Sequence, residues 1–324
     1  MSPGSALGSA TGFKESEQSQ VIARIGGRGS ASKKYRHSES LWLDPPPHMK
    51  APLRVSAATS DSGEAGEDVQ QRDGNSRLFR DFRTLAAASK RANNLAAEGN
   101  ANFCIAILYD NQGAHAKAYT HLQRFLQSSR ATGHVENQAL ALNALGVNAQ
   151  LQGQPEEAAQ YHRKNLDLAQ EHISQFVAYT NLGVAATSQG ASEQAMPYHE
   201  GALRCAVQAA SLQAESCATV NLGCAAMALS DFDNSQALLE RYLQLSQSLK
   251  DAKGKSDALM FLGKLASSRS DLDAASDYYS QAMKLSTTGH RETATNSAKC
   301  SFGIASGTMA LNAKLDALQD ELKK

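Results

Sequence analysis

From Leu78 to Leu322 the apolar positions fall at helical spacing in block after block, and the blocks share one register. Leu78, Phe79, Phe82, Leu85 and Ala86 mark the first stripe, and Leu311, Leu315, Leu318 and Leu322 the last. Between them a large apolar residue precedes a small one six times, at Ile105-Ala106, Leu145-Gly146, Leu182-Gly183, Leu222-Gly223, Leu262-Gly263 and Phe302-Gly303. The small residues are spaced by 40, 37, 40, 40 and 40 positions. A period of that kind is read before any single segment. Seven residues after each of the first five comes a turn position, Gly113, Gly153, Gly190, Ser230 and Ser270, and five further on a second small residue, Ala118, Ala158, Ala195, Ser235 and Ala275. Large, small, turn, small is what two antiparallel helices need to cross closely. The polar breaks predict helix pairs at 98–129, 136–170, 173–208, 211–247 and 252–286. An unpaired helix precedes them from about Leu78, and a last one starts near Glu292, with its polar residues expected to cap the terminal face. Pro197 falls inside a predicted second helix, where a kink is expected.

This residue order resembles the tetratricopeptide repeat, whose first helix carries the leucine-glycine pair and whose second carries the small residue. The resemblance covers about 98–310 and implies an all-α solenoid, a right-handed superhelix of antiparallel helix pairs that binds other proteins. Its 40-residue period exceeds the family's shorter unit, as in subfamilies similar to kinesin light chain and the spindle-orientation adaptors. Three runs, Leu78-Phe79-Arg80-Asp81-Phe82, Ala106-Ile107-Leu108-Tyr109-Asp110 and Phe302-Gly303-Ile304-Ala305, look like those of a ciliary axonemal member. That likeness implies a structural role in cilia, with axonemal proteins, dynein-associated complexes or tubulin as partners. Chaperone-binding members clamp a C-terminal carboxylate with lysine, asparagine and arginine. The corresponding positions here are Phe103, Ile107, Asn143 and Val147, which argues against that role.

Composition changes the picture at the N-terminal end. Five of the seven prolines lie before residue 53 and nine of the 23 glycines before residue 75, so residues 1–75 are expected to form a disordered or extended arm. The solenoid is expected over 76–312, and 313–324 as the end of a capping helix. The arm's basic residues concentrate in Arg24, Arg28, Lys33, Lys34 and Arg36, while 55–75 holds five acids against Arg72 alone. Leu41-Trp42-Leu43 stands just before Pro45-Pro46-Pro47, which presents Trp42 on a stiff segment as an interface anchor or as a side chain that packs on the solenoid. The basic cluster suits an acidic polymer such as a microtubule wall, or serves solubility alone.

The 32 basic and 32 acidic residues cancel, so no whole-molecule field points to nucleic acid. No run is long and apolar enough to span a bilayer, and the start of the chain lacks the pattern of a leader. A cytosolic or cytoskeletal place is the expectation, with no membrane partner. Five cysteines form no CxxC pair; Cys104, Cys217, Cys224 and Cys300 fall among apolar helix positions and read as small core residues.

No catalytic or cofactor motif emerges, so neither an enzymatic role nor a cofactor is expected. His162 and His199 recur in register on successive second helices, which suits packing against the neighbouring helix better than metal ligation, since no carboxylate or cysteine recurs beside them. On the tetratricopeptide pattern the residue before the leucine-glycine pair faces the concave surface. Here it is Asn181 and Asn221, with Asn143 one step early and Phe261 in the fifth repeat. A ladder of asparagines can hydrogen-bond an extended peptide backbone, or each can satisfy a local backbone group. The expected function is a non-enzymatic scaffold, with a cytosolic peptide-binding adaptor as the alternative.

Overall fold

The computed structural model describes residues 65–322 apart from 290, with side chains from Ser76 onward except those of 320 and 322. Among the described residues all regular structure is helical: α1 (Ala65–Arg91), α2 (Leu95–Asn111), α3 (His115–Ala131), α4 (Val135–Leu151), α5 (Pro155–Leu168), α6 (His172–Ser188), α7 (Ser192–Gln208), α8 (Leu212–Ala228), α9 (Phe232–Ser248), α10 (Ala252–Ser268), α11 (Leu272–Thr288) and α12 (Glu292–Leu322). They form two compact units, one ending at Gly190 and the other starting at Ala191. Within the first, α2 pairs with α3 and α4 with α5; within the second, α8 pairs with α9 and α10 with α11.

The 40-residue period has a simple origin. Each helix from α2 to α11, α5 excepted, is 17 residues long and is followed by a three-residue link, so two helices and two links make one repeat. The middle residue of the link sits in the left-handed region: Asn93, Gly113, Gly133, Gly153, Gly190, Ala210, Ser230, Lys250 and Ser270, with φ between 50° and 77°. The residue after it sends its N–H back into the last turn of the finished helix. Ala114 donates to the Tyr109 carbonyl at 2.9 Å while Gly113 donates to Asp110 at 2.9 Å, the paired bonds of a Schellman motif. That same residue then stands at the N-cap of the next helix, so one position serves both ends.

The single 37-residue interval comes from α5, which has 14 residues and ends at Leu168 with Ala169 in extended conformation, φ −75° and ψ 110°. The irregularity therefore lies two helices before α7, which holds Pro197. Helix α7 runs from Ser192 to Gln208 with Pro197 inside it.

The core follows the register of the repeat. The large residues Ile105, Leu145, Leu182, Leu222 and Leu262 are all at most 2% exposed, and the small residues Ala118, Ala158, Ala195, Ser235 and Ala275 are fully buried. Ser235 Oγ donates to the Gly223 carbonyl at 3.0 Å, so the second helix touches the backbone of the first. The glycine notch itself receives a larger group, sixteen residues on. A Cβ built on Gly146 would lie 2.4 Å from Cε1 of His162, and one on Gly263 would lie 2.5 Å from Cε1 of Tyr279. Leu122, His199 and Leu239 hold the same register position in the other second helices and are equally buried. Among the cysteines, Cys104 and Cys224 are buried as expected, Cys217 is half-buried, and Cys300 is exposed on α12.

Candidate docking surface

The first helices of the pairs position the asparagines. Asn143 on α4, Asn181 on α6 and Asn221 on α8 are 3%, 2% and 4% exposed. This corrects the expectation that they face an open groove. The Asn181 amide nitrogen donates to the Asn143 side-chain oxygen at 2.7 Å, a bond between successive repeats, and Asn221 Nδ2 lies 3.8 Å from Cys217 Sγ. Their period, which suggested a ladder, also lets the first two meet each other. Asn143 Nδ2 itself is buried without a hydrogen-bond partner.

One turn further along each of these helices, a different row is half-exposed in the first unit: Ile107, Val147 and Val184, each directly after the small residue of the notch. In the second unit the same register holds Cys224, Lys264 and Ile304. The row is legible in the sequence once the notch is located, although asparagine drew the attention there.

A polar joint that the sequence reading missed ties the first two pairs together. Asn148 Nδ2 donates to Asp110 Oδ1 at 2.7 Å and to the His115 carbonyl at 3.0 Å. His115 Nδ1 lies 2.9 Å from the same carboxylate oxygen. Burial raises the Asp110 pKa, and the hydrogen bonds from His115 and Asn148 pull against that rise. On the second helices Tyr119 and Tyr161 hydroxyls meet at 3.1 Å, and burial with this contact pushes the Tyr161 phenol up. At the N-terminal end Arg83 donates to the Tyr109 hydroxyl at 2.6 Å, and Phe79 packs on the Tyr109 ring with centroids 4.8 Å apart. Beside them Phe79, Arg80, Arg83, Thr84 and Arg91 of α1 line an open surface depression.

His162 packs on Gly146, fully buried, with both ring nitrogens unpartnered. Burial lowers its pKa to about 4, and that of His199 likewise, so both are neutral at pH 7. Among the described residues no three potential metal-ligating side chains cluster, and no helix is long and apolar enough to cross a membrane. Arg24, Arg28, Lys33, Lys34, Arg36 and Trp42, with the rest of residues 1–64, lie outside the described residues.

Comparisons with known proteins agree with this architecture. No curated protein matches the sequence, so the ciliary expectation rests on the residue runs that suggested it. The solved structure of BtubC (BKLC) from P. vanneervenii is similar with a TM-score of 0.59 at 19% identity, over 68% of this chain and 91% of that one. A STAND ATPase with a tetratricopeptide repeat sensor from Pyrococcus horikoshii has a TM-score of 0.58 at 13% identity, over 74% of this chain and 38% of its own length. Kinesin light chain-like repeats from Podospora anserina have a TM-score of 0.52 at 15% identity, over 59% of this chain and 95% of theirs. At these identities the likeness is one of fold. Residues 138–175, which span α4, α5 and the start of α6, match the family model described as "Tetratricopeptide repeat", and the helix pairs around them have the tetratricopeptide fold.

Proposed function

We propose that the chain is a non-enzymatic scaffold that holds other proteins, as repeats of this type generally do, and that it is built into a ciliary axoneme or another cytoskeletal assembly. The observation that carries the docking role is the row Ile107, Val147 and Val184, three half-exposed apolar side chains in one register on α2, α4 and α6. A regular apolar row on rigid helices offers area and little ordering cost to a partner segment. The axonemal context rests on the runs at 78–82, 106–110 and 302–305. The arm with Arg24, Arg28, Lys33, Lys34, Arg36 and Trp42 supplies a second contact, so that two weak attachments act together.

A second reading is a soluble adaptor that lays an extended peptide along the same row of Ile107, Val147 and Val184. Sedimentation with salt-washed axonemes separates the two. A built-in scaffold stays in the pellet, and Val147→Asp with Val184→Asp, or removal of residues 1–64, which spares α1, releases it. Release of the unaltered chain at low salt, with capture of a free peptide, would overturn the scaffold in favour of the adaptor.

A further inference from the structure

Helix α12 differs from the other first helices in what covers it. The ring of His162 lies on Gly146 and the ring of Tyr279 on Gly263, but a Cβ built on Gly303 or Gly307 would meet nothing within 4 Å. Cys300 is exposed beside them, and the bare strip continues through Ile304, 71% exposed, to Leu311, Leu315 and Leu318 at 56%, 47% and 55%. The expected polar cap is therefore replaced by an apolar edge. The turn position seven residues after the notch is Ala310, which lies inside the helix, so α12 runs on where the other helices fold back.

The strip has the spacing of a coiled-coil seam. Ile304, Leu311 and Leu318 are seven apart, and Leu315 follows Leu311 by four. We propose that its distal part, Leu311, Leu315 and Leu318, is covered by α12 of a second copy of this chain, running antiparallel, independently of the docking role above. In that register Leu315 packs against the partner's Leu318, and Leu318 against the partner's Leu315, a self-complementary contact of the kind a two-fold dimer requires. Charge selects the direction. Lys314 and Glu321, both exposed, flank the seam on one side, and the antiparallel register sets each Lys314 beside the partner's Glu321. A parallel pair would set Lys314 beside the partner's Gln319, with no opposite charge. In this register residue 322 of one copy comes opposite Leu311 of the other.

Sedimentation equilibrium on the full chain over a concentration series tests this. A monomer–dimer equilibrium is expected, abolished by Leu315→Asp with the thermal midpoint unchanged, because the residue is exposed. Lys314→Glu or Glu321→Lys alone places like charges together twice and weakens the dimer by about tenfold. The two combined restore it. A monomer at every concentration, open-ended polymers in place of dimers, or a double charge swap that fails to restore association would each overturn the proposal.

Discussion

The two units end and begin their helices by opposite chemistry while keeping the same link. Up to Gly190 the left-handed position is glycine four times, at Gly113, Gly133, Gly153 and Gly190, and the N-caps Ala114, His134, Gln154 and Glu171 make no side-chain cap bond; the first link departs from this, with Asn93 at φ 52° and the Asn94 side chain accepting from Ala97 N–H at 3.0 Å. From Ala191 onward the left-handed position is Ala210, Ser230, Lys250 or Ser270, and the following residue caps the next helix through its side chain. Ser211, Asp231, Asp251 and Asp271 accept from backbone N–H groups at 3.3, 3.4, 2.9 and 3.0 Å. A non-glycine residue in that region costs about 1–2 kcal/mol, and a side-chain cap is worth about 1 kcal/mol. The links from Gly113 to Gly190 are relaxed, whereas those at Asn93 and from Ala210 onward offset strain with side-chain caps at the following helix starts.

What the units share should break them equally. Gly146→Ala in the first or Gly263→Ala in the second drives a methyl into a ring held in a closed core, and each is expected to cost about 3 kcal/mol. Gly303→Ala has open space and should gain up to about 1 kcal/mol from helix propensity. Urea unfolding of the three variants measures this, and a cost at Gly303 matching that at Gly146 would show that the notch is not what distinguishes them.

Each unit also holds one buried histidine, which makes acid a probe of both. The folded pKa of His162 and of His199 is lowered from 6.5 to about 4 by burial. The unfolded chain therefore takes up a proton in that window that the folded chain refuses. Stability is complete above pH 6.5 and falls as the pH drops toward 4, by about 2 kcal/mol per histidine at pH 5. His162→Leu copies the leucine found at this register in α3 and α9, and removes two unpartnered ring nitrogens. It should stabilise by about 1 kcal/mol at pH 7 and about 3 kcal/mol at pH 5. Thermal unfolding at the two pH values checks it; a gain that does not grow in acid would mean that the ring is not buried in neutral form.

Much of this architecture was legible because one constraint repeats. Tight helix crossings demand a small residue at a fixed register, and Gly146, Gly183, Gly223, Gly263 and Gly303 show it without any coordinates. The predicted pair 252–286 becomes α10 and α11, Ala252–Ser268 and Leu272–Thr288, within two residues at each end. The equivalence of the other links, at Asn93, Ala210 and Lys250, was not legible, because the Schellman bonds come from the backbone and tolerate several residue types. The 37-residue spacing was legible but its seat in α5 was not, since a missing turn shifts every later residue and marks no position of its own. Burial of Asn143 and Asn181 was missed for another reason: sequence gives their common face, and the contact between repeats decides whether water or another asparagine satisfies them.

The smallest effects test the comparison most directly, by exchanging chemistry between the units. Ser230→Gly and Ser270→Gly relieve φ values of 62° and 64° and should each gain about 0.5–1 kcal/mol. Gly133→Ala should lose about 1 kcal/mol, since its φ is 71° although nothing crowds the site. Asp271→Ala should lose about 1 kcal/mol, and Ala114→Asp should gain about half that by bringing a cap to the first unit. Changes in different links should add, while Ser270→Gly and Asp271→Ala share one link and can couple; hydrogen exchange can assign each one to its own unit. If Ser230→Gly proves neutral while Asp231→Ala is costly, the left-handed serine carries no strain, and the second unit is the better capped of the two with nothing to offset.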